Sequence, residues 1–270
     1  MFVTIINDCR DDNARSRQES RIASLISTNL SFVGVQSDLE AGMQLIDILD
    51  ATEGRPGLIL VNVAPRGGHT SKWENGTPFA YFYYDKTLVV SSVDGLALSG
   101  VKKFNITDHV ALLDTHSAAT AMHQADFIDE AVATYIPRTQ FRSFDFVPRV
   151  GVFLLQGNEV PSEPYPLTTV TDLPPAIWHI DSFGNCKTTL TPTEVDTTQP
   201  IATRFGSFNF VPKLRDLPDA TSALVAGSSG LRDTRLLELM TQRGNFSAAH
   251  QAAIGDNLFS EQSHFVRATN

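Results

Sequence analysis

"FVTIINDCRDDNARSRQESRIASLISTNLSFVGVQSD", residues 2–38, sets the reading of the fold. Its first seven residues are a β-branched apolar run that ends in Asn7 and Asp8. The next segment repeats its apolar residues at helical spacing, with Ile22, Leu25, Ile26 and Leu30 on one side, and "SFVGVQSD" returns to strand character. The same alternation continues downstream. "LEAGMQLIDILDAT" (residues 39–52) predicts an amphipathic helix, and "GLILVNVAP" (residues 57–65) predicts a strongly apolar strand closed by Pro65. A βαβαβ order predicts a Rossmann-like α/β domain with a mainly parallel sheet, helices over its faces and functional loops at the carboxyl ends of the strands.

Further along, "FAYFYYDKTLVVSSVDGLAL" (residues 79–98) reads as a strand pair around Asp85 and Lys86 followed by a turn at Asp94–Gly95, and "TAMHQADFIDEAVATYI" as one more helix. This first domain is expected to close near residue 150. Residues 151–172 include "QGNEV" and a run rich in Pro, Glu and Thr with no period, which predicts a linker. From residue 173 the segments are short, strand-like and broken by Gly, Pro and Asp, so residues 173–270 are expected to form a small β-barrel or sandwich. A chain of 270 residues also exceeds the usual ~100–200 residues of one domain.

Charge and composition narrow the partners. Lys and Arg number 21 against 30 Asp and Glu, and a net charge of −9 gives no general attraction to phosphate backbones or anionic lipid. No nucleic-acid or membrane partner is expected. Cys9 and Cys186 are far apart, which fits two buried thiols in a reducing compartment rather than a disulfide. The first residues run from a short apolar stretch directly into charge, unlike a signal peptide, and no segment reaches the ~18 apolar residues of a membrane span. A cytoplasmic location is the expectation. Four Asn-x-Ser/Thr triplets, at Asn29, Asn75, Asn105 and Asn245, are then chance matches. The seven histidines lack close metal-ligand spacing, His116 and His123 being seven apart, so no metal is expected.

No Gly-rich phosphate loop, paired Cys-x-x-Cys or Gly-x-Ser-x-Gly elbow is present. The order of several short segments is more informative. Asp8 in "IINDCRDDN", the Pro-Gly turn of "VNVAPRGG", Asp94 in "SSVDGL", His123 in "TAMHQADFIDEAVA", then "IDSFGN" (residues 180–185) and "GSSGL" (residues 227–231) follow one another along the chain. Together they resemble the S-adenosylmethionine-dependent chlorinase, fluorinase and hydroxide adenosyltransferase family from about residue 3 to residue 260. "IDSFGN" is the most specific piece.

The resemblance implies S-adenosylmethionine or adenosine bound between the α/β domain of one subunit and the β-domain of its neighbour in a homotrimer. S-adenosylmethionine is then substrate or ligand, and no cofactor is implied. A halide or hydroxide attacks ribose C5′ and expels methionine. On this footing Asp8 accepts from the ribose hydroxyls, Asn13 lies near the amino-acid end, and Asp94, Ser228 and Ser229 join the binding set. Asp181 holds the methionine ammonium, Phe183 packs on adenine and Asn185 reads an adenine edge. The residues alone leave other roles open: Asp8 as a cap before the first helix, Asp181 as a turn cap, Phe183 as core.

The pattern departs at the catalytic set. The Asp that handles water in the family falls on Ala64, its Arg on Ser71 beside Lys72, and the Arg two residues after the His on Ala125. His123 alone matches, with His69 and Lys72 as substitutes in the same loop. Two functions therefore stand side by side: a slow S-adenosylmethionine hydrolase, and a non-catalytic protein that binds S-adenosylmethionine or adenosine. An unrelated α/β protein is the third reading.

Overall fold

The computed structural model describes residues 1–64 and 76–259. They form two compact units, Met1–Asp172 and Leu173–Asn270.

The first unit follows the alternation in the sequence. Strand β1 (Phe2–Asn7) leads to α1 (Asp12–Leu25), β2 (Asn29–Gly34), α2 (Asp38–Thr52) and β3 (Gly57–Asn62). A hairpin of β4 (Phe79–Tyr84) and β5 (Thr87–Ser92) turns on Asp85 at φ 50°. Then come α3 (Ser99–Lys103), β6 (His109–Leu113), α4 (Thr115–Gln124), α5 (Glu130–Tyr135), α6 (Arg142–Asp145), α7 (Val147–Leu155) and β7 (Ser162–Pro166). The seven strands lie in the order β2-β1-β3-β5-β4-β6-β7. The first four pair in parallel and the last three extend the sheet antiparallel.

Strands covered on both faces read as continuous apolar runs, which is why β1, β3 and β5 carry so little polar alternation. Val3, Ile5, Leu58, Leu60, Leu88 and Val90 share one core with Ile22 of α1, Met122 of α4 and Val150 and Phe153 of α7. The alternate residues Ile6, Ile59, Val61 and Val89 are equally buried, and α2 lies against β1 and β3.

Two expectations are corrected. The segment 151–172 is no linker but belongs to the first unit: most of α7 is buried, and β7 pairs with β6 as the last strand of the sheet. Its Pro and Glu fit an exposed edge strand, where a missing N–H costs little. Second, the single helix expected over 120–136 is two. Helix α4 ends in a left-handed Asp126 (φ 55°) with Phe127 N–H bonding back to Met122 O, and Asp129 caps α5 through Val132 N–H.

The second unit contains β8 (Ile177–Ile180), β9 (Cys186–Thr188), β10 (Ile201–Thr203), β11 (Gly206–Phe208), β12 (Phe210–Val211), β13 (Ser222–Leu231), β14 (Thr234–Thr241) and α8 (Phe246–His250). Five strands form a sheet in the order β12-β13-β14-β9-β8, and β10 pairs with β11 alone. Its terminal strands, β12 and β8, do not pair with each other, so among the described residues the sheet is open rather than a closed barrel. Its core gathers Ile177, Cys186, Leu224, Leu237, Leu239 and Phe246.

Candidate functional site

Strand β1 leads outward to β2 on one side, whereas β3 leads toward β4 and β5 on the other, so the strand order switches between β1 and β3. Such switch points are where open α/β sheets take ligands. Asn7 and Asn62 stand opposite each other in register at this point, and Val61 stands opposite Ser91 of β5. Asp8, the next residue, donates its N–H to Asn62 O (3.3 Å) and accepts Ala64 N–H on Oδ2 (3.0 Å). Its carboxylate is thus fixed at the carboxyl ends of β1 and β3 and keeps lone pairs for a ligand. Asp94 follows β5 at the same edge, buried to 7% exposure, with Gly95 N–H on its Oδ1 (2.9 Å).

The sequence reading omits Asn7, which is fully buried. Its Oδ1 accepts Cys9 N–H (2.8 Å), while Nδ2 has no hydrogen-bond partner among the described residues. The available signal is a polar residue closing an apolar strand. Asp11 is omitted too. It caps α1, and its Oδ1 takes both Asn13 N–H and Ala14 N–H at 3.0 Å. Those are the amides that a dinucleotide-binding helix presents to pyrophosphate. Here a carboxylate already fills the place, with Asp12 beside it, so a bound phosphate would meet like charge. Asn13 lies in the first turn of α1, exposed, and capping falls to Asp11 rather than to Asp8.

His123 belongs to another neighbourhood. It is exposed at the end of α4, its Nδ1 donates to Ile128 O (3.1 Å), and it lines a cleft of about 260 Å³ with residues of α4, α5 and the turn after them. None of the cleft residues belongs to the strand-end set. His69 and Lys72, with Ser71, lie outside the described residues. Ala64 is exposed just beyond β3, and its backbone amide is the group that engages Asp8.

In the second unit, "DSFGN" folds as a tight turn between β8 and β9. Asp181 Oδ1 accepts Phe183 N–H (2.8 Å) and Asn185 N–H (2.9 Å), and Oδ2 accepts the Asn185 side-chain amide (2.9 Å). Partial burial pushes the Asp181 carboxyl up, but the Asn185 and Phe183 hydrogen bonds and the Lys187 charge together outweigh it and hold the group below its ordinary value. Asp181 therefore caps this turn, and Asn185 uses its amide donor on Asp181, leaving its carbonyl free of that contact. Phe183 is not core: at 74% exposure it is the most exposed large apolar side chain described. Gly184 turns the backbone at φ 82°, where a Cβ would overlap the Asn245 side-chain amide.

Ser228 and Ser229 lie in the bulge of β13 between Ala226 and Gly230. Ser228 N–H reaches Glu238 (3.0 Å), and the buried Ser229 hydroxyl accepts from Lys187 Nζ (2.7 Å), a lysine outside the motif strings. The two cysteines differ. Burial first, then the Asp181 and Asp256 charges, push the Cys186 thiol up to about 12. Cys9 is exposed on the loop after β1, which corrects the reading of both thiols as buried. Among the described residues no helix is long and apolar enough to cross a membrane, and no group of His, Cys, Asp and Glu is placed to hold a metal ion.

No known protein family and no curated protein matches the chain. Solved structures do. An uncharacterized conserved protein from Thermotoga maritima superposes with a TM-score of 0.63 at 15% identity, over 94% of this chain and 97% of that one. A conserved hypothetical protein from Thermus thermophilus gives a TM-score of 0.56 at 16% identity, over 94% and 96%. The chain therefore shares its α/β fold, over nearly its full length, with these two bacterial proteins.

Proposed function

We propose that the protein binds S-adenosylmethionine or adenosine, with the ribose at the switch point between β1 and β3. The observation that carries this reading is the pairing of Asp8 with the Asp11-capped helix. Asp8 offers carboxylate lone pairs to hydroxyl groups at the switch point, while Asp11 occupies the helix amides that would otherwise favour phosphate. A nucleoside without phosphate, or one bearing a sulfonium or ammonium cation, suits that charge pattern. Phe183, exposed on the second unit's turn, offers a flat apolar face to an adenine ring. In the same reading the chain works in the cytoplasm as a homotrimer, with Phe183 and Asn185 of one copy completing the site of another.

In S-adenosylmethionine hydrolysis water forms a bond to C5′ and gives up a proton to solvent, the C5′–S bond breaks and methionine leaves with the electron pair. Orienting water and stabilising charge commonly contribute on the order of 10²–10³ in rate each. Ala64 supplies neither, and its amide is engaged by Asp8. A binding protein with slow turnover at most is the form we favour. The test is incubation of the full chain with S-adenosylmethionine and chromatography of adenosine and methionine, for wild type, His123→Ala and Lys72→Ala. Slow release, or none, accompanied by measurable binding is expected. Fast turnover would show that the loop holds an effective substitute for the missing carboxylate.

A further inference from the structure

The cleft beside α4 has a chemistry of its own. Helices α4 and α5 are joined by five residues, 125–129, so they run as an antiparallel hairpin with the end of α4 facing the start of α5. His123 therefore lies across from Glu130 at one end of the cleft. An antiparallel run sets His116 toward Arg138 at the other, with Thr120 and Thr134 between, and all of these residues line the cleft. Seven residues separate the histidines, about 10 Å of helical rise.

The two ends differ in hydrogen-bonding character. A carbonyl oxygen only accepts, so the contact of His123 Nδ1 with Ile128 O places a proton on Nδ1, and in the neutral ring Nε2 is then an acceptor. With the Glu130 carboxylate beside it, that end accepts. Arg138 makes the opposite end a donor, with the planar fork that suits a carboxylate. Glu130 and Arg138 stand eight residues apart, about 12 Å along the chain's rise, too far to neutralise each other directly. Among the described residues neither side chain has a hydrogen bond or ion pair, and both are exposed to the cleft.

We propose that this slot is a binding site for an extended small molecule with an ammonium group at one end and a carboxylate at the other, an ω-amino carboxylate. The ammonium meets Glu130 and His123 Nε2, the carboxylate meets Arg138, and the chain between them runs past the threonine methyls and hydroxyls. This inference shares His123 with the hydrolysis test but uses no residue of the strand-end set proposed to hold adenosine.

Calorimetric titration of the full chain with 6-aminohexanoate, hexanoate and hexylamine tests it. The two-headed probe is expected to bind at least about tenfold tighter than either single-headed one. Arg138→Ala should lower its affinity to that of hexylamine, and Glu130→Gln to that of hexanoate. Arg138→Lys, which keeps charge and loses the fork, should fall between. Circular dichroism identical to wild type identifies folded variants, and adenosine titration should be unchanged in them. Equal affinity for the three probes, or unchanged 6-aminohexanoate binding in folded Arg138→Ala and Glu130→Gln, overturns the proposal.

Discussion

Replacing Gly184 with Ala should destabilise the second unit by about 2–3 kcal/mol. Two contributions add. A residue with a Cβ held at φ 82° costs roughly 1–2 kcal/mol in the left-handed region. The new methyl would also overlap Asn245 Oδ1, so Asn245 must move. That oxygen caps α8, accepting Ala248 N–H at 2.8 Å and the Ser247 hydroxyl at 3.0 Å, and loss of such a cap costs about 1 kcal/mol. Urea unfolding followed by Trp178 fluorescence, in a Trp73→Phe background that leaves one tryptophan, reports on this unit because Trp178 is buried within it. An Asn245→Gly background should reduce the cost to the backbone part, about 1–2 kcal/mol, since glycine is a tolerable cap. A Gly184→Ala cost below about 0.5 kcal/mol, or no coupling to Asn245, would refute the reasoning, because both contributions exceed that value.

Three other perturbations are informative. Asp181 has a folded-state pKa below its ordinary 3.8, so its stabilising contribution is complete above the unfolded value and is lost as pH falls through the folded one. The stability gap between wild type and Asp181→Asn in urea titrations should thus be level at neutral pH and close below about pH 4. Phe183→Ala should weaken adenosine binding by about 1–3 kcal/mol in calorimetry while leaving thermal stability nearly unchanged, since the ring is exposed. Iodoacetamide followed by mass spectrometry should modify Cys9 in the native protein and leave Cys186 unmodified until urea is added, as burial keeps the latter a thiol.

The layered half of the molecule is legible because its strands are covered on both faces, so that "FVTIIN" and "GLILVN" carry the apolar run that such burial demands. Strand β7 is illegible for the opposite reason. At an exposed edge, "SEPYP" needs no apolar pattern, and its prolines read as a linker. The split of α4 from α5 is hidden because the left-handed residue is Asp126 and not the glycine that usually marks such a stop. Candidate site residues are legible where a motif string contains them, as with Asp8 and Phe183. Asn7, Asp11 and Lys187 become visible only with the register of β1 on β3, the cap of α1 and the pairing of β9 beside the bulge of β13. The usual burial of free cysteines misleads at Cys9, whose place on a strand-end loop exposes it.

Calorimetric titration of the full chain with S-adenosylmethionine, adenosine and adenosine 5′-monophosphate tests the central claim most directly. On the proposed reading Asp8 takes the ribose hydroxyls while Asp11 already holds the first helix amides, so S-adenosylmethionine and adenosine should bind, and the 5′-phosphate should weaken adenosine binding by about tenfold or more through like-charge contact. Tighter binding of the monophosphate than of adenosine, or no binding of S-adenosylmethionine and adenosine at millimolar concentration, would contradict the account.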